Sequence, residues 1–73
     1  MYTLELLPLH TTRKSFYGKA KVIIQDNGSI QLQSYETIVC EIDIHNNFNM
    51  LWNGKSNTTT RHINEFKKQF MEV

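Results

Sequence analysis

The hydrophobic period of this chain changes once, from two to about 3.6, near residue 56, and that change restricts the fold more than any other feature. Before it, apolar residues alternate. In SFYGKAKVIIQ the even positions Phe16, Gly18, Ala20, Val22 and Ile24 share one face, and Tyr17, Lys19 and Lys21 share the other. Asp26-Asn27-Gly28 follows, a strong hairpin signal because Asn and Gly both tolerate positive φ. SIQLQSY sends Ile30 and Leu32 inward, and TIVCEIDI sends Ile38, Cys40, Ile42 and Ile44 to one face against Val39, Glu41 and Asp43. His45-Asn46-Asn47 makes a second turn, FNMLW alternates Phe48, Met50 and Trp52 against Asn49 and Leu51, and Asn53-Gly54 closes that strand. An opening strand over about residues 2–7 ends at Pro8, which cannot donate to a central ladder.

After the change, Thr59, Ile63, Phe66, Phe70 and Val73 fall at spacings of four, three, four and three, one stripe of a helix. His62, Asn64, Glu65, Lys67, Lys68 and Glu72 take the remaining surface, with Lys67 and Lys68 suiting the C-terminal end of the helix dipole. The expected fold is therefore α+β: an antiparallel meander of four or five strands within residues 2–52, packed on one C-terminal helix over about 58–72, in a single domain spanning 1–73. The stripe Ile63, Phe66 and Phe70 covers a sheet face of Val22, Ile24, Ile30, Leu32, Ile38, Ile42 and Trp52. Gly18 and Ala20, small and inward, clear space for the helix phenylalanines, and Cys40 fills the core.

With 73 residues, such a fold buries only about 60% of the surface its unfolded chain exposes and needs further support. A single cysteine excludes an internal disulfide and points to a reducing compartment. His10, His45, His62 and Cys40 lack ligand-like spacing, so no metal and no cofactor are expected. Oligomerisation remains, and a homodimer is the expectation. The start MYTLELLPLH lacks the basic opening and long apolar run of a signal peptide, and no run is long enough to span a membrane. A cytoplasmic location follows as an expectation.

The formal net charge is +1, unevenly spread. Residues 10–21 carry Arg13, Lys14, Lys19 and Lys21 with no acid, whereas residues 25–53 carry Asp26, Glu36, Glu41 and Asp43 with no Lys or Arg. This is neither the profile of a DNA mimic nor that of a non-specific DNA coat, so a nucleic-acid contact requires a local patch. RKSFYGKAK supplies one: Arg13, Ser15, Tyr17, Lys19 and Lys21 share odd parity, and a phenol between cations can stack a base and neutralise phosphates. The plainer reading is a solvated sheet face whose lysines guard an edge. Glu41 and Asp43, on the same side of a nearby strand, dilute the field.

The string SNTTTRHINEF at residues 56–66 has two readings as well. Ser56, Asn57, Thr58 and Thr59 are all favoured helix caps. Arg61 sits unfavourably for the dipole, yet hydroxyls and an arginine at a helix start also make an anion site, which leaves a contact role open for Arg61 and His62. The pattern Ser-x-Thr-Thr-x-Arg-His-Ile-x-x-Phe, with Phe16-Tyr17-Gly18-Lys19-Ala20 and Ser34-Tyr35-x-Thr37-x-Val39, resembles a family of small uncharacterised proteins from phages and mobile elements of Gram-positive bacteria. The resemblance covers residues 15–70. It implies a bacterial host cell and a protein that works by binding, for example as an inhibitor of host nucleases, restriction or CRISPR systems.

Catalysis is not expected. A nucleophile needs a base within reach and an orienting group, and the histidines do not supply one: His45 lies in a turn, His10 in a loop after Pro8, and His62 pairs with Glu65 on the helix surface. No phosphate loop is present. The expected function is a phage-encoded inhibitor of a host defence or DNA-processing protein, with no catalytic residues and no small-molecule substrate. The alternative is a nucleic-acid-binding module using Arg13, Lys14, Tyr17, Lys19, Lys21, Arg61 and His62.

Overall fold

The structure is a computed structural model that describes residues 1–6 and 19–71. The elements are β1 (Tyr2–Glu5), β2 (Ala20–Ile24), β3 (Ile30–Ser34), β4 (Thr37–Ile42), β5 (Phe48–Met50) and α1 (Asn57–Phe70). All neighbours are antiparallel and the order is β1-β2-β3-β4-β5, the expected α+β meander followed by its helix. The expected clearance at Gly18 and the stop at Pro8 lie outside the described residues.

Two hairpins are built alike. At β2–β3, the Gly28 N–H donates to the Gln25 carbonyl (3.0 Å), the Gln25 N–H donates to the Ser29 carbonyl (2.9 Å), and Gly28 takes a φ of 96°. At β4–β5, Asn46 N–H donates to Asp43 O (2.9 Å), Asp43 N–H donates to Asn47 O (3.0 Å), and Asn46 takes a φ of 67°. Each is a three-residue loop that places one residue in the left-handed region, where Gly and Asn are cheapest. Asn27 therefore does not share the positive φ that a two-residue Asn-Gly turn requires.

The helix-facing side of the sheet carries apolar rows in register. Leu4, Val22, Leu32, Cys40 and Met50 lie side by side across all five strands. The middle three are sealed, while Leu4 (42% exposed) and Met50 (52%) stand at the open ends of the row. Ile63 and Phe66 press on this centre, with Phe70 and Met71 packed at its margin. The core continues through Leu6, Ala20, Val39 and Ile42. Burial of such side chains stabilises by about 1.5–3 kcal/mol each.

Strict alternation fails in β4. Leu32 pairs with Cys40, but Gln33 pairs with Ile38, so Val39 has no opposite residue on β3. This is a β-bulge: one extra residue bends the strand and resets its alternation. Val39 is consequently buried, contrary to the outward position that parity gave it, and Ile38 joins the Gln33 side instead of the core face. Ile44, also expected inward, is 58% exposed because it lies in the β4–β5 turn.

The helix begins where the Ser and Thr run allows. Ser56 is the cap, its Oγ accepting from the Thr59 N–H at 3.2 Å, and Lys67 and Lys68 occupy the last turn. Thr59, Ile63 and Phe66 are buried as the stripe requires. His62 and Glu65 are buried too, at 0% and 2% exposure, which corrects their expected place on the surface.

Candidate functional site

An inward Ser and an inward Thr each bring a hydroxyl into an apolar interior, where an unmet hydrogen bond costs about 1–3 kcal/mol. Ser34 has inward parity on β3, in step with Leu32, and Thr59 heads the inward stripe of α1. Their oxygens meet at 3.0 Å. One helical turn beyond Thr59, His62 completes the cluster: its Nδ1 lies 2.8 Å from Ser34 Oγ. A single serine hydroxyl thus joins the helix to the sheet through two partners. This contact is why His62 turns inward, and it replaces the surface pairing with Glu65 expected from helical spacing. Glu65 instead accepts from Gln69 Nε2 at 2.7 Å.

Burial, and secondarily the nearby Lys19 charge, holds the His62 pKa below its usual value, so the ring is neutral at neutral pH. Ser34, Thr59 and His62 are each at most 5% exposed. The Ser–His pair is therefore closed to solvent. The Cys40 thiol is likewise sealed, and burial pushes its pKa up to about 12, far from the thiolate a nucleophile requires.

Above the cluster lies the β3–β4 turn. Tyr35 and Glu36 link the Ser34–Thr37 pair in a two-residue connection. Tyr35 has a φ of 57°, a conformation that costs an L side chain about 1–2 kcal/mol. Its backbone is clamped on both sides. The Tyr35 N–H donates to the Lys19 carbonyl at 2.7 Å, and Gln33 Nε2 donates to the Tyr35 carbonyl at 2.9 Å. Its ring leans on His62, with centroids 6.0 Å apart and planes at 47°. The residue remains 49% exposed.

This arrangement sorts the residues named from sequence. Lys19 is exposed and reaches the His62–Tyr35 end of the molecule. Lys21 is half-buried on β2 and faces away from the helix, in register with Glu5 and Gln33. Arg61 is half-buried in the first turns of α1, and His62 is a core residue, not a surface contact. Arg13, Lys14 and Tyr17 lie outside the described residues. The outer sheet face is crossed by a polar chain, Gln25 Nε2 to Gln31 Oε1 (2.9 Å) and Gln31 Nε2 to Glu41 Oε1 (3.0 Å), so Glu41 is engaged within the sheet. Sequence reasoning missed Tyr35 and Ser34. The signal for Ser34 was present, since a serine in step with Leu32 demands a polar partner; tyrosine, however, is not a turn residue.

Among the described residues, no group of three His, Cys, Asp or Glu side chains converges, and no helix is long and apolar enough to cross a membrane. No match to the chain was found among curated proteins or solved structures. One family model does match, over residues 4–72: the chain belongs to a family of unknown function, DUF8033.

Proposed function

We propose that this is a small phage-encoded binding protein without enzymatic activity, an inhibitor of a host defence system such as restriction or CRISPR, or of a host DNA-processing protein. The supporting observation is the closure of the Ser34–His62 pair. The one hydroxyl–imidazole contact described is used to fix the helix, and a substrate cannot reach it. The phage and Gram-positive setting rests on the resemblance carried by SNTTTRHINEF. The protein acts in the host cytoplasm. Its partner includes a second copy of itself, for which the exposed Leu4 and Met50 at either end of the apolar row supply surface. The test is functional. Expressed in a defended host, the chain should raise phage plating efficiency and retain a stoichiometric host protein on a column. Unchanged plating on hosts with restriction and with CRISPR immunity, together with no retained partner, removes the reading.

A second reading, nucleic-acid binding, is favoured by one observation: an exposed cation, Lys19, and an exposed aromatic, Tyr35, are joined through their main chains at one end of the sheet. Phosphate contacts predict affinity that falls steeply with salt. Salt-independent or absent binding to single- and double-stranded DNA would leave only the protein partner.

A further inference from the structure

Three described positions adopt a left-handed backbone: Gly28, Asn46 and Tyr35. Two follow the rule for such positions. The third puts a large aromatic where glycine or asparagine is favoured. Strain of this kind persists where the surroundings fix it, and it concentrates at sites of contact with other molecules. Here the surroundings do fix it, through the Lys19 carbonyl on one side and the Gln33 amide on the other. Packing does not account for the ring, since half of Tyr35 stays in solvent and its described ring contact is a tilted one with His62.

We propose that the β3–β4 turn is a contact tip for single-stranded nucleic acid, with the Tyr35 ring stacking a base and the Lys19 ammonium meeting the adjoining phosphate. The inference rests on the nucleic-acid reading above and deepens it, naming single strands as the ligand and giving Tyr35 and Lys19 separate roles. Stacking on an aromatic accepts any base, because every base has a π face, and a neighbouring cation follows the backbone. Lys19 is held to Tyr35 through the main chain, which keeps the two residues side by side. Glu36, exposed and next in sequence to Tyr35, is the acid within this turn and lowers its positive potential, so stacking on the ring has to carry much of the contact.

The experiment is a fluorescence-anisotropy titration with a labelled oligothymidine of about 15 nucleotides, a length suited to such sites, at low and at physiological salt. The parent should bind, more weakly as salt rises. Tyr35→Asn, which installs the residue the chain uses at position 46, should weaken binding about tenfold or more without lowering the melting temperature. Tyr35→Trp should restore binding, and Lys19→Glu, at an exposed position, should weaken it independently. If Tyr35→Asn binds like the parent, or melts well below it, the ring serves to cover His62 and the inference is overturned, while the nucleic-acid reading stands on the parent's own binding. If the parent binds no oligonucleotide at either salt, both fall and a protein partner remains.

Discussion

The two halves of α1 are seated in different ways. Its C-terminal half is held by apolar contact: Phe66 is fully buried, Phe70 packs against it with ring centroids 5.3 Å apart and planes tilted by 42°, and the Lys67 ammonium lies 4.9 Å over the Phe48 ring. Its N-terminal half is held by oxygen and nitrogen, through Thr59, Ser34 and His62. Apolar contact supplies energy in proportion to area and tolerates sliding. Directed hydrogen bonds contribute less net energy but accept one geometry. The helix draws stability from one end and its register on the sheet from the other.

Removing Phe66 should break the apolar half outright. Phe66→Ala is expected to cost about 3–5 kcal/mol, a large part of the roughly 4–11 kcal/mol that a chain of this length possesses. Thermal melts should show a melting temperature lower by roughly 12–40 °C; a parent-like melting temperature would mean that this end of the helix does not anchor the fold. Ser34→Ala tests the polar half. It strips Thr59 and His62 Nδ1 of their shared partner inside the core and should cost about 1–3 kcal/mol, measured by chemical denaturation. Combining it with Thr59→Val should recover part of that loss, because an apolar pair leaves fewer unmet groups. Ser56→Ala, which loses the cap, is expected to cost about 1 kcal/mol.

The smallest effect should come from pH. The His62 pKa is lowered in the folded chain by burial and by Lys19, whereas the unfolded chain titrates near about 6.5. Between the lowered value and about 6.5 the unfolded state binds more protons, so stability is complete above that range and declines as pH falls through it. Melts across that interval should show the decline in the parent and a flatter profile in His62→Gln. Equal slopes would remove His62 as the source.

Sequence periodicity made one of these halves legible and hid the other. Ile63, Phe66 and Phe70 declare their face by spacing, as do Val22, Leu32 and Cys40, and Ser56 is readable as a cap because its chemistry suits little else. His62 and Glu65 were assigned to water because polar residues off the apolar stripe ordinarily face it. The burial of His62 depends on a partner far along the chain, Ser34, and no local pattern encodes that contact. Val39 and Ile38 were misplaced for a related reason: alternation assumes an unbroken ladder, and the residue that breaks it carries no local mark. Tyr35 was unreadable because its conformation opposes its own propensity.

The unmatched Val39 does a second job through its main chain. Its carbonyl accepts from both Leu51 (2.9 Å) and Trp52 (3.1 Å), and so fixes where the polypeptide leaves the sheet on its way to the helix. Chain length at this point therefore matters more than side-chain identity. Val39→Ile should be absorbed with little penalty. Deleting the residue should force the strand to forfeit either its Thr37–Ile38 partners or its departure point, and relatives should keep the count of residues here even where they change the letters.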